Sequence, residues 1–308
     1  MGSKYVYGPV PSRRLGFSLG VDLVPFKYCS YDCIYCQLGK TTKKTLERKE
    51  YAPTEKILKE VKIALNTGGR TDYLTFSGSG EPTLHSKIGY MIKQLKGITA
   101  IPLAVLTNGS LLFRSDVQSD LLSADVILPT LCAVSEKIFI KINRNHPLLS
   151  IGTIIQGMVD FRRRYQGKIW LEIMLVKGIN DSESEIRKIK EATEKIAPDK
   201  IHLNTVVRPP SEKYAAPLSY KQLQKIKQSF GDTCEIIAGF KGKKQISYSH
   251  TKENDILNLI KRRPVTLDDI SHVTGLHKNE LLKYLERLKT KQKIKLTQHK
   301  AQKYYEVM

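Results

Sequence analysis

The sequence has no apolar run approaching the roughly 20 residues that cross a bilayer. Its opening, MGSKYVYGPVPSRR, has no apolar signal core. A membrane protein or an exported one is therefore not expected, and a cytoplasmic location is. Gly2 lies in no lipidation context. Acidic residues are scarce beside basic ones: 30 Asp and Glu against 51 Lys and Arg, a net charge of +21. A field of that sign favours anionic partners, nucleic acid first, although a lysine-rich surface suited to solubility has the same balance. Cysteine is sparse and odd in number, five in 308 residues. Locally clustered cysteines without export argue against a disulfide framework and for thiols kept reduced. Internal repeats and low-complexity tracts are missing as well.

What is present is an alternation of strand and helix patterns, repeated about six times. GFSLGVDLV, DYLTFSG, IPLAVLTNG, DVILPTL, KIWLEIMLV and DKIHLNTVV read as short strands. Helical patterns fall between them, with APTEKILKEVKIALNTGG, SKIGYMIKQLKG, RSDVQSDLLSA, 134–143, 150–165 and 182–196, and SYKQLQKIKQSFG follows the last strand. Strands that are apolar on both faces belong to a parallel sheet covered by helices. A right-handed succession of such units forms an open or closed barrel. Ligands in such sheets gather at the carboxyl ends of the strands, where the cysteine loop, the GSGEP turn and the TNG turn all fall.

The composition shifts near residue 240, at GFKGKKQ. Beyond it ENDILNLIKRR, TLDDISHVTG and HKNELLKYLERLKTKQ read as helices, and Thr266 with Asp269 forms a capping-box pattern. KIKLTQHKAQKYYEV reads as a hairpin. Three helices and a hairpin predict a winged helix-turn-helix over 241–308, separate from a barrel domain over 1–240, with 276–289 as recognition helix. Residues 251–308 hold 13 basic and 7 acidic side chains. Lys278, Lys283 and Arg287 on the third helix, with Lys293 and Lys295 in the wing, are the candidate contacts to nucleic acid, whether tRNA or DNA. A protein-docking or dimer module is the alternative for this fold.

Three of the five cysteines, Cys29, Cys33 and Cys36, lie in KYCSYDCIYCQLG, spaced Cys-x3-Cys-x2-Cys. Soft thiolates this close suit zinc, copper(I) or an iron–sulfur cluster. Structural zinc takes four closed ligands, and here only His85 or Cys132 would complete one. A four-iron cubane held by three cysteines keeps one open iron. Cys132 and Cys234 stand alone, and Cys132 reads as a small buried hydrophobe. A carboxylate in mid-strand, Glu172, is costly to bury unpaired and calls for a ligand or for one of the many lysines. Arg208 suits a phosphate or carboxylate of substrate, or the barrel rim.

CSYDCIYC resembles the signature of the radical S-adenosylmethionine (SAM) superfamily, Tyr35 included, and SGSGEP resembles its glycine–glutamate–proline turn. YGPVPSRRLGFSLGVDL and HLNTVVRPP resemble a subgroup of Fe–S oxidoreductases related to wyosine-base (tRNA) synthases, so the likeness runs over about residues 5 to 215. It implies an α/β fold built as a partial (β/α)6 TIM-like barrel. It implies that Cys29, Cys33 and Cys36 hold three irons of a [4Fe–4S] cluster, and that the amino and carboxylate groups of SAM take the fourth. It implies a 5′-deoxyadenosyl radical that abstracts hydrogen from a substrate, RNA or protein being the candidates, and a low-potential electron donor of the flavodoxin or ferredoxin type. By the same resemblance Gly78, Gly80, Glu81 and Pro82 form the turn that meets SAM, with Tyr35, Thr107, Asn108, Thr130, Glu172 and Asn204 as further cofactor contacts. Relatives carry an aspartate where this chain has Cys132. Wyosine synthases use further cysteines for a second cluster, and two leftover cysteines are too few for that. The alternative class is a redox-sensing, DNA-binding iron–sulfur regulator, which needs only the cluster ligands.

Overall fold

The computed structural model describes residues 4–238, 253–274, 276, 278–299 and 302–308. Its central sheet contains β1 (Val6–Ser12), β2 (Gly16–Val21), β5 (Tyr73–Phe76), β6 (Leu103–Thr107), β7 (Val126–Leu131), β8 (Lys168–Leu175), β9 (Lys200–Thr205) and β10 (Cys234–Ile236), adjacent in that order. From β2 onward every neighbour is parallel, and β1 alone runs antiparallel, to β2. The helices between them are α1 (Thr54–Asn66), α2 (Ile88–Lys96), α3 (Ser115–Leu121), α4 (Glu136–Asn143), α5 (Ile151–Arg164), α6 (Glu183–Ile196) and α7 (Tyr220–Phe230). Two short strands, β3 (Tyr28–Cys29) and β4 (Lys43–Lys44), pair with each other and pin the cysteine loop. The two-residue periodicity of β1 is weak in sequence because Pro9 and Pro11 interrupt it, and the sequence reading has no strand there. Strands β3, β4 and β10 are likewise too short to show a period.

Three of the barrel helices, α5, α6 and α7, start at serines that cap them. Ser150 accepts from the backbone of Thr153, Ser182 from Glu185, and Ser219 forms a capping box with Gln222. Alternate residues of each strand then separate two environments. Leu103, Val105, Ile127 and Leu171 face the helices and join the main core. Ala104, Leu106, Val126, Leu128 and Trp170 face the other way, where they close the base of the concave side together with Leu15 and Tyr73. Further along that same concave face the side chains become polar: Ser18 and Thr75 hydrogen-bond each other, and Thr130, Glu172 and Asn204 follow at two-residue steps. Apolar residues thus seal one end and leave a polar lumen at the carboxyl ends of the strands.

Beyond the sheet come α8 (Glu253–Arg262), α9 (Leu267–Thr274), α10 (Lys278–Thr290) and an antiparallel hairpin, β11 (Ile294–His299) with β12 (Gln302–Val307). Thr266 and Asp269 exchange reciprocal bonds of 3.0 Å at the start of α9, as a capping box requires. Ile256, Ile260, Ile270, Leu281, Leu285 and Leu288 make a second core that also takes in Val10 of β1. This unit therefore packs against the β1–β2 edge, and Tyr304 Oη donates to Val207 O at 2.9 Å. No helix among the described residues is long and apolar enough to cross a membrane.

Candidate cofactor site

Three segments that each end a parallel strand meet at one rim. The cysteine loop follows β2, the GSGEP turn follows β5 and the TNG turn follows β6. Glu81 N–H donates to Tyr28 O at 3.0 Å, which ties the GSGEP turn to the loop one residue before Cys29. A Cβ at Gly80 would lie 2.0 Å from that same Tyr28 O, so only glycine permits the approach. Gly78 has φ of +148° and its missing Cβ would strike Asp22, which caps the Ser79 backbone N–H at 3.1 Å. Pro82 opens a single 3-10 turn, Pro82–Leu84, capped by Glu81.

Glu81 is buried, and its carboxylate accepts four donors: Thr83 N–H at 3.0 Å, Thr83 hydroxyl at 2.6 Å, Thr107 hydroxyl at 2.7 Å and Asn108 N–H at 2.7 Å. Burial still pushes its pKa up, against these hydrogen bonds. Asn108 carries the link on, donating from Nδ2 to Ser30 Oγ at 2.8 Å and to Cys29 Sγ at 3.4 Å. The glutamate, the threonine and the asparagine therefore form one network that reaches the first cysteine.

Each cysteine of the loop receives a side-chain N–H donor from a different place. Cys29 takes Asn108, Cys33 takes Asn143 Nδ2 of α4 at 3.3 Å, and Cys36 takes Lys27 Nζ at 3.0 Å. Lys27 is buried, which works against its charge, yet Cys36 and the two other sulfurs hold its ammonium above the usual lysine range. Burial and the charge of Glu81 push the Cys29 thiol to about 11, and burial with Cys132 and Cys29 lifts Cys33 well above its ordinary value. Sulfurs held beside N–H donors are suited to a cationic metal core, which deprotonates its sulfur ligands outright and so overrides the cost of burying them. Among the described residues no three His, Cys, Asp or Glu side chains converge as they would around a single metal ion. His85 spends both nitrogens, Nε2 on Ala52 O at 2.9 Å and Nδ1 on the Lys87 N–H at 3.2 Å, so it is not placed to complete a zinc site.

Cys132 lies closer to the cysteine loop than sequence suggests, beside Tyr35, which the sequence reading already counts with the cofactor contacts. Tyr35 Oη is 2.9 Å from Cys132 Sγ, and Asn143 Nδ2 reaches the same sulfur at 3.6 Å. Cys132 is buried as expected of a small hydrophobe, but it also positions the two groups that touch Cys33's surroundings. Thr130 stands in register beside Glu172 on β8. Glu172 is neutralised by an arginine rather than a lysine: it pairs with Arg14 and accepts from Asn204 Nδ2 at 2.6 Å. Asn143, Arg14 and Asp22 escape sequence reasoning because nothing local marks residues whose partners lie 110, 158 and 240 positions away, and Lys27 escapes it because a lone lysine nine residues before Cys36 looks like plain basic surface. The GFSLGVDL stretch did contain Asp22 at a strand's end, the one signal available.

In the C-terminal unit, Arg287, Lys293 and Lys295 are exposed, and Lys295 lies 3.4 Å from Glu306. Lys278 pairs with Asp268. The side chain of Lys283 lies outside the described residues.

The Radical SAM superfamily profile matches residues 23–189, and the chain belongs to that superfamily. It is 40% identical over 266 residues to a UPF0026 protein of Methanocaldococcus jannaschii, covering 84% of this chain and 82% of that one. It is 38% identical over 281 residues to a Brachyspira hyodysenteriae protein named GTPase Obg, covering 90% of this chain but only 41% of that longer protein. Among solved structures, TYW1 with a lysine-pyruvate adduct bound superposes with a TM-score of 0.51 at 17% identity, over 73% of this chain and 75% of that one. That likeness is one of fold, and it places the mostly parallel sheet among the TIM-like partial barrels. Superfamily members bind a [4Fe–4S] cluster and SAM, and the donor set of three half-buried thiols fits the first of these.

Proposed function

We propose that Cys29, Cys33 and Cys36 hold three irons of a [4Fe–4S] cluster, and that the GSGEP and TNG turns receive SAM beside it. When bound, the cluster supplies one electron that breaks a carbon–sulfur bond of SAM, so that a 5′-deoxyadenosyl radical takes hydrogen from the substrate. The chain's own residues orient and tune. Asn108, Asn143 and Lys27 each direct an N–H at one sulfur, and hydrogen bonds to sulfur are among the levers on cluster potential. Glu81 holds Thr83, Thr107 and Asn108 in one frame, so that the open rim presents backbone and hydroxyl groups to the methionyl end of SAM. Apolar closure at Leu15, Leu106 and Trp170 shuts water out from below.

The observation that carries this reading is the placement of three separate N–H donors on three sulfurs of one loop, all within the superfamily's matched span. The test is anaerobic reconstitution, reduction and incubation with SAM. 5′-Deoxyadenosine is expected from the wild-type protein, and the Cys33→Ala chain should neither load iron nor form it. Full iron and sulfide in that variant would refute the ligand assignment, and a loaded wild type that leaves SAM intact would refute the activity. We assign residues 1–240 to the barrel and 241–308 to a winged helix-turn-helix, with the boundary in 239–252 outside the described residues; its helix α10 offers Arg287 and its wing Lys293 and Lys295 to nucleic acid. A salt-sensitive shift of tRNA or duplex DNA that Lys293→Glu with Lys295→Glu abolishes is the expected result. An unchanged shift would leave the wing without that role.

A further inference from the structure

Five arginines converge on one cavity of about 240 Å³ in the lumen, which reaches down to Leu15 and Leu106: Arg13, Arg14, Arg208, Arg262 and Arg263. They come from three distant parts of the chain. Arg13 and Arg14 form the turn between β1 and β2, Arg208 follows β9, and Arg262 with Arg263 ends α8 of the C-terminal unit. The wall between them carries serine and threonine hydroxyls and, among the described residues, no carboxylate. Gly78, Gly80 and Gln37, the residue after Cys36, form its other side, so the cavity adjoins the cofactor site.

Their charges are incompletely answered. Arg14 pairs with Glu172 and Arg262 with Asp22, while Arg208 is 3.9 Å from Asp269. Arg13 has only neutral acceptors, Asn204 Oδ1 at 3.0 Å and Ile237 O at 3.1 Å. Arg263 has Pro11 O at 3.3 Å. Among the described residues five guanidiniums thus meet three carboxylates, and Arg208 Nε is buried with no acceptor. The side chains of Arg14 and Arg208 are only 15% and 11% exposed, so water does little to screen them. Burial followed by the charge of Arg208 holds Arg13 and Arg263 down to about 9. Burying cations together and leaving two short of neutrality is costly unless an anion belongs there.

We propose that this cavity binds a phosphate group of the substrate, and that the C-terminal unit completes it with Arg262 and Arg263. A phosphate monoester carries close to two negative charges at neutral pH, which matches the shortfall. Its oxygens fit the forked donors of arginine, which lysine reproduces poorly. The hydroxyls and the Arg208 Nε–H supply further donors. The inference rests on the cofactor site described above only for what the bound phosphate would be near. Held beside Gly78 and Gly80, the phosphate would anchor a substrate whose reacting carbon faces the rim. It also explains why α8 sits against the barrel edge through an ion pair to Asp22, the residue that caps Ser79.

The test uses full-length, reconstituted protein with SAM, titrated calorimetrically with inorganic phosphate and pyrophosphate at fixed ionic strength, and with malonate as a dicarboxylate comparison. Saturable phosphate or pyrophosphate binding is expected, with malonate at least tenfold weaker. Arg263→Gln and Arg208→Gln should each weaken binding at least tenfold, and Arg263→Lys, which keeps charge but loses the fork, should fall between. Should one glutamine variant fail to fold, the other and Arg263→Lys still decide. No saturable phosphate binding by the wild type, or wild-type affinity in every folded variant, overturns the proposal. Malonate binding as tightly as phosphate overturns the assignment of the group. Formation of 5′-deoxyadenosine is followed in the same wild-type preparation. A protein that cleaves SAM but ignores phosphate loses the pocket alone, and one that binds phosphate but leaves SAM intact loses the enzyme reading alone.

Discussion

Replacing Gly80 by alanine perturbs the contact on which the cofactor site is built. The added Cβ would stand 2.0 Å from Tyr28 O and 2.8 Å from Val24 Cγ2, where real Cβ atoms essentially never come within 3.0 Å. The carbonyl is backbone of the cysteine loop and cannot rotate away as a side-chain tip would. The two strands of chain must part by about 1 Å, at a cost of about 1–3 kcal/mol by analogy with overpacked cores. That movement also breaks the Glu81 N–H···O Tyr28 bond of 3.0 Å, and a buried donor left unmade costs about 1–3 kcal/mol more. The sum, about 2–6 kcal/mol, corresponds to a fall in Tm of roughly 5–20 °C for a domain of this size. Because the displaced carbonyl precedes Cys29, iron loading should fall with it. The assay is anaerobic scanning fluorimetry beside iron and sulfide counts per chain, with Gly152→Ala as control. Gly152 lies in α5 with no atom within 4 Å of its missing Cβ, so that change should stabilise by about 0.5–1 kcal/mol. A Gly80→Ala protein that melts within 2 °C of wild type and holds full iron would refute the reasoning.

Asn180 is fully buried, accepts from Val176 N–H at 2.7 Å and donates to Cys132 O and Met174 O at 2.6 and 2.8 Å. Asn180→Ala strands all three partners and should cost about 3–5 kcal/mol, read as a lower urea midpoint; an unchanged midpoint contradicts it. His202 is buried beside the Trp170 ring with its Nδ1 unpartnered, and burial followed by Arg14 lowers its pKa to about 3. The unfolded chain, near 6.5, binds the extra proton first, so stability is complete above pH ~6.5 and declines as pH falls toward 3. Between pH 7 and 5 that amounts to about 2 kcal/mol, which His202→Phe should abolish; identical acid limbs for the two proteins in urea titrations would dismiss the cause. Asn143→Leu removes the N–H from Cys33 and should make the bound cluster harder to reduce, seen as a more negative midpoint in an EPR-monitored titration, whereas an unmoved midpoint would show that this bond does not tune it.

Most of the sheet was legible because its signal is local. Residues such as Ile57, Leu58 and Val61 repeat at helical spacing, and LAVLT or KIWLEIML are apolar enough to be strands wherever they lie. The Thr266–Asp269 cap is equally local, and it forms as its spacing predicts. β1 was missed because two prolines hide its pairing, and that pairing depends on a partner strand rather than on propensity. Glu172 shows the same limit at a single residue. Its burial was readable, since apolar neighbours flank it on the strand, but its partner Arg14 lies in a turn that looks like plain basic surface.

Two things were thus settled by the order of residues alone: a cysteine triplet whose spacing gathers three thiols in one loop, and an alternation of short apolar strands with amphipathic helices that commits the chain to a covered parallel sheet. Both depend on neighbours a few positions apart, which covalent geometry already holds together. Only the tertiary structure decided which N–H meets which sulfur, that Glu81 binds its own turn to the next strand, and that α8 brings two arginines to the lumen. Those contacts include one between residues 252 positions apart, where Arg263 joins Pro11 O at 3.3 Å, and no local pattern encodes a distance that only the packed sheet creates.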